Sequence, residues 1–156
     1  MKSFAQFIFE ALHDNPISWT SPNANSEHRE VLHQHQSHDD DIKNGGHGIF
    51  PNWVAKRLGE LRDKKEWHRA INRGKVTTMT GRDVMNSGNS YKSWSQVEPD
   101  AKKRRAPTLY RPGKKVERPI FLRHSKTGKM HLLSGAHRSA YVTQVMKRPI
   151  EAHVIE

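Results

Sequence analysis

The chain of 156 residues has no cysteine. Disulfides, thiolate nucleophiles and cysteine-based zinc sites are therefore excluded, and the absence agrees with a reducing compartment. Apolar residues are also scarce, at 33% of the chain, and mean hydropathy is −0.92. A core can form, but not from the whole chain, so a flexible segment is expected. No apolar run approaches the roughly 20 residues that cross a bilayer. The N-terminus carries a single lysine, and its apolar stretch is interrupted by Gln6 and Glu10, which is not a secretory signal. No membrane partner is expected.

Acidic residues are the minority charge, 16 against 27 lysines and arginines, which leaves a net charge of +11. The excess is uneven. Residues 11–50 hold two basic and six acidic residues, whereas residues 101–156 hold fourteen basic and three acidic. Charge concentrated in this way predicts a phosphate-bearing partner, DNA or a nucleotide, through Coulomb attraction and counterion release.

The hydrophobic pattern divides the chain. Phe4, Phe7, Ile8 and Leu12 recur at helical spacing in residues 1–13. Residues 11–48 are rich in Asn, Ser, His and Gly with no sustained period, which predicts a flexible linker. Within it His28, His33, His35, His38, His47 and the run Asp39 to Asp41 have a metal-ligand flavour. Their spacing matches no closed site, so the expectation is a solvated polar segment and no metal.

Order resumes in residues 49–156. Residues 51–73 predict a helix lined by Trp53, Val54, Leu58, Leu61 and Trp67, ended by Gly74. Residues 75–80 favour a strand. Lys102, Lys103, Arg104 and Arg105 form a basic run, read as a loop or arm, which together with Lys114 and Lys115 would contact nucleic-acid phosphates. Trp53, Trp67, Tyr91 and Trp94 lie among basic residues. Trp53 is assigned to the core, while Tyr91 and Trp94 are the candidates for stacking on bases.

The last stretch has the clearest order: a strand from Pro119 to Arg123, a hairpin turn at Lys126 to Gly128, a strand to Leu133, a tight turn, a helix from Ala136 to Met146, and a strand from Ile150 to Ile155. The turn is Ser134-Gly135-Ala136-His137-Arg138-Ser139. A small residue pair lets backbone approach a ligand, and a helix start presents unpaired N–H groups. Arg138 can grip a phosphate through two parallel hydrogen bonds, and His137 can move a proton.

Residues 116–156, with Leu132 to Ala140 at their centre, resemble the ParB N-terminal/sulfiredoxin superfamily. The resemblance implies an α+β fold with a small mixed sheet. It also implies phosphate binding by Ser134, Gly135, Ala136, His137, Arg138 and Ser139, a nucleoside triphosphate with Mg²⁺ as the cofactor, and His137 as the catalytic residue of any enzyme. Sulfiredoxins carry a reactive cysteine at the place of Ala136, so that chemistry is excluded. ParB proteins typically have Gly-Glu-Arg-Arg here. Gly135 and Arg138 match, while Ala136 and His137 replace the glutamate and the arginine, and that glutamate is the one tied to metal-assisted nucleotide turnover in the family.

Met1 to Ala11 resembles the capsid-targeting sequence of internal head proteins of T-even-type phages. That likeness implies docking on the capsid scaffold and cleavage by a prohead protease between Glu10 and Ala11. The leading expectation is a phage head protein that binds nucleotide or nucleic-acid phosphate and is delivered with the DNA into host cytoplasm. The alternatives are a ParB-like nuclease or phosphotransferase, and a non-catalytic DNA-condensing protein.

Overall fold

The structure is a computed structural model that describes residues 3, 17–88, 94–103 and 114–156. In chain order it comprises strand β1 (Ser18–Thr20), the long helix α1 (Ala24–Lys43), helices α2 (Asn52–Leu61) and α3 (Lys64–Arg73), and strand β2 (Lys75–Met79). Helices α4 (Gly81–Asn86) and α5 (Trp94–Lys103) follow, then strands β3 (Lys115–Glu117), β4 (Ile120–Arg123) and β5 (Met130–Ser134). Helix α6 (Ala136–Ala140) passes into a π-helical turn (Tyr141–Val145), and β6 (Ile150–Ile155) closes the chain order.

The class is α+β, and the principal sheet is mixed. Its order is β2-β6-β4-β5. The β2 strand runs antiparallel to β6 (Lys75 opposite Val154), β6 parallel to β4 (Leu122 opposite Ile155), and β4 antiparallel to β5 (Arg123 opposite Met130). A separate parallel pair joins β1 to β3, with Trp19 opposite Val116.

Strand β4 is central and apolar on both faces, the pattern of a strand covered on two sides. Ile120 and Leu122 join Leu133, Ile155 and the α2–α3 residues Val54, Leu58, Leu61 and Trp67 in one cluster. Phe121 points the other way, into a second cluster with Leu132, Ile150, Val142 and Val84. Each such side chain contributes roughly 1.5–3 kcal/mol when fully buried, and the helices are held to the sheet in this way.

The segment expected as a linker is instead largely helical. Asn23 caps α1 by accepting the Ser26 N–H at 3.1 Å, and Glu27 and Lys43 complement its dipole at either end. The helix was hidden because polar side chains do its packing: its buried residues are His28, Val31 and His38. The His28 Nε2–H lies 3.1 Å from each of the carbonyls of Leu61 and Arg62, satisfying the end of α2, and the ring stacks on Trp67. His38 Nδ1 accepts the N–H groups of Ile49 at 2.9 Å and Phe50 at 3.1 Å. Gln34 Nε2 donates to Leu133 O at 2.8 Å, and Trp67 Nε1 donates to Ala24 O at 2.7 Å. Described residues before position 49 are thus tied by hydrogen bonds to α2, α3 and β5.

Residues 51–73 form not one helix but two. Asp63 interrupts the run and caps α3, its carboxylate accepting the Glu66 N–H at 3.0 Å. Trp53 is half-buried, edge-on to His124. Lys102 and Lys103 close helix α5 and do not begin a loop. Arg104, Arg105, Tyr91 and, Ser3 apart, the amphipathic stretch expected over residues 1–13 lie outside the described residues.

His38→Ala leaves two part-buried N–H groups without this acceptor and removes the stack on Phe50. The expected loss is about 2–3 kcal/mol, seen in urea denaturation as a lower midpoint with an unchanged slope.

Candidate functional site

The chain leaves β5 at Ser134 and turns at Gly135, whose φ of +94° lies in the left-handed region. A Cβ here would fall 2.6 Å from Pro119 Cβ and 2.7 Å from Arg138 Nη2. Glycine is required by the left-handed φ and by the closeness of Pro119, and its missing side chain leaves room for the Arg138 guanidinium to fold back over the turn. The first helical bond of α6 then forms, Ser139 N–H donating to Gly135 O at 2.9 Å. After one turn the helix widens, with Met146 N–H donating to Tyr141 O at 3.0 Å, an i to i+5 bond. π-Helical turns of this kind occur frequently at functional sites.

Arg138 is held among carboxylates. Its side chain is only 15% exposed, and Nη1 stands 3.8 Å from Glu117 Oε2. That is an ion pair, longer than the roughly 2.7–2.9 Å of a charge-assisted hydrogen bond. Glu27, in the first turn of α1, completes the group. Burial holds its carboxyl above the ordinary value of 4.5, while a hydrogen bond with Ser134 and the charge of Arg138 act in the opposite direction. Glu117 and Glu30 repel the anion and add to the rise. The turn thus combines one half-buried guanidinium with a carboxylate from β3 and a readily protonated carboxyl from α1.

Of the residues expected at this site, Ser134, Gly135, Ala136, His137 and Arg138 stand half-buried along one turn. Ser139 is different: it is fully buried, and its hydroxyl has no hydrogen-bond partner among the described residues. It braces the turn from beneath through its backbone N–H and does not face solvent. Lys102 and Lys103 lie on α5, which packs against α6. Lys114 and Lys115 are exposed and immediately precede Val116 and Glu117 on β3. Arg104, Arg105, Glu10 and Ala11 lie outside the described residues.

Glu27 and Glu117 were missed. The signal for Glu27 was present: Asn23 followed by an acidic residue in the next turn is a helix start. Nothing local marks Glu117, whose role depends on β3 lying beside the turn. Among the described residues there is no group of three or more His, Asp or Glu able to hold a metal ion, and no helix is long and apolar enough to cross a membrane. Comparison with protein-family models, curated proteins and solved structures gives no match.

Because burial raises the Glu27 pKa, the folded chain holds this proton more tightly than the unfolded chain. Stability is therefore greatest below the ordinary carboxylate value, falls as pH rises through the raised value, and stays reduced above it. Glu27→Gln removes this dependence. Thermal unfolding from pH 4 to 8 is expected to show the variant matching the wild type at the acidic end and exceeding it near neutrality. A variant less stable at neutral pH would mean that Arg138 outweighs burial.

Proposed function

We propose that this chain binds the phosphate of a nucleotide or nucleic acid through the Ser134–Arg138 turn, in a ParB-like arrangement, and that it is carried in a phage head. The observation that carries the reading is Arg138 laid over a left-handed glycine at a strand-to-helix turn. Such a guanidinium is pre-organised, so little side-chain entropy is lost when it meets an anion. The order hairpin, turn, helix, then a strand parallel to the first of the hairpin supports the ParB-like likeness.

The residues present suit a nucleoside triphosphate that brings its own magnesium. Arg138 would take a phosphate in place of the long contact to Glu117, and Glu117 would be available to the ion. Mg²⁺ commonly binds through one or two carboxylates together with substrate phosphates. His137 lies in the first turn of α6, and on this reading it would be the proton carrier.

One observation favours a second reading, that of a nuclease or phosphotransferase. The raised pKa of Glu27 sets a protonatable carboxyl against Ser134, and general acids are often tuned in this way. On that reading turnover requires magnesium and is lost in His137→Ala.

Calorimetry of the full chain with CTP, ATP, GTP and ADP, with and without magnesium, tests the binding. Saturable binding that weakens about 10- to 100-fold in Arg138→Ala is expected, the worth of a charge-assisted contact. DNA binding that depends on salt alone and ignores the substitution would leave a DNA-condensing protein in its place.

The packaging claim has a separate check. Protein recovered from mature virions is expected to begin at Ala11, after removal of Met1 to Glu10. Recovery of chains that still begin at Met1 would overturn it.

A further inference from the structure

At the opposite end of the sheet from Gly135 lies a cavity of about 860 Å³ that the turn does not line. The register fixes its position. The Gly135 turn follows the end of β5, whereas this cavity collects Arg123 at the end of β4, Met130 at the start of β5, Lys75 at the start of β2 and Val154 near the end of β6. Helices α2 and α3 close it with Arg57, Arg69 and Arg73.

Five cations, Arg57, Arg69, Arg73, Lys75 and Arg123, therefore converge on one concavity, against the carboxylates of Glu66 and Glu156. Some of the charge is compensated. Arg57 donates to the main-chain oxygen of Glu156 at 2.7 and 2.9 Å and to Glu66 at 3.2 Å. Arg123 meets Glu156 at 2.6 Å, and Arg69 meets Glu66 at 2.8 Å. Arg73 and Lys75 are exposed and have no side-chain partner among the described residues. Cations gathered in a concave, low-dielectric surface repel one another and focus a positive potential outward.

The shape is informative as well. A second cavity of about 390 Å³ shares Thr77, Gly128 and Met130 with the first and continues past Lys129 toward α4. Together they make a groove between β2 and the β4–β5 hairpin, with Val154 and Met130 as apolar lining and the cations toward one end. Ligand sites typically occupy about 300–1,000 Å³ and combine apolar walls with a few placed polar groups.

We propose that this groove is a second phosphate-binding site, in which Arg73 and Lys75 take the phosphate of a nucleotide or of a single nucleic-acid strand and the apolar wall takes the base. The site is separate from the Gly135 turn and does not depend on it.

The test is binding of a labelled short oligothymidylate and of nucleoside monophosphates to the full chain across a salt series. Arg73→Ala/Lys75→Ala is set beside Lys43→Ala/Lys64→Ala, which removes the same charge from exposed positions outside the groove. The groove variant is expected to weaken binding about tenfold or more. It should also reduce the slope of log K against log salt by about 1.4, two contacts at about 0.7 each for a single strand. The control should keep most of the affinity. Loss of monophosphate binding in the groove variant assigns a free nucleotide as the ligand, and loss confined to the oligonucleotide assigns a strand. Equal losses in both variants, or none in the groove variant, overturn the proposal. Arg138→Ala separates the two sites: an effect there without one at Arg73 and Lys75 sinks the groove and leaves the turn standing, and the reverse sinks the turn alone.

Discussion

The docking of one polar helix decides how the rest of the molecule is arranged. His28 places its Nε2–H between the carbonyls that end α2 and lays its ring on Trp67. A single side chain thereby satisfies a helix terminus and fills a core position, two demands usually met by different residues. Because Glu27 is the preceding residue, the same contact fixes its carboxyl against Ser134 and beside Arg138. Ten residues after His28, His38 holds the backbone of Ile49 and Phe50 and so sets the entry to α2. Helix α1 is a structural strut and a wall of the candidate site at once.

The C-terminal half was legible because its elements are local. Pro119 to Ile155 alternates turn residues with short apolar runs, and each run matches one strand or helix within a residue or so of its expected bounds. The positive φ of Gly128 and Gly135 falls at the two turns expected there. What remained hidden in this region was the widening of the helix after Ala140, since its sequence carries no signal for a π-turn.

The N-terminal third was misread for a physical reason. Periodicity methods count apolar residues, and α1 buries one apolar side chain and two histidines. Its attachment comes from hydrogen bonds to distant backbone, at Leu61, Phe50 and Leu133, which no local window reveals. The break between α2 and α3 was readable from Asp63 and Glu66, a capping pair in the middle of an apparently continuous pattern. The basic groove was illegible for a different reason. Arg57, Arg73, Lys75 and Arg123 are scattered in sequence and meet only through the sheet register.

The position of the carboxylates bears most directly on how the turn works. On the proposed ParB-like reading, the turn would be expected to carry its own glutamate. Here Ala136 stands at that place, and the carboxyl groups near Arg138 come from β3 and α1. On the proposed reading, an arriving phosphate would meet Glu117 as a competitor for the guanidinium and Glu27 as a like charge when it is ionised. Burial already favours the protonated form of Glu27, so a second anion nearby drives it further toward neutrality. Anion binding at Arg138, as proposed, would thus be linked to proton uptake at Glu27, and because Glu27 belongs to α1 the linkage would reach the helix docking as well. A turn that kept its own glutamate would confine that coupling to a few adjacent residues. Moving the carboxyl onto a separate helix spreads it across the fold.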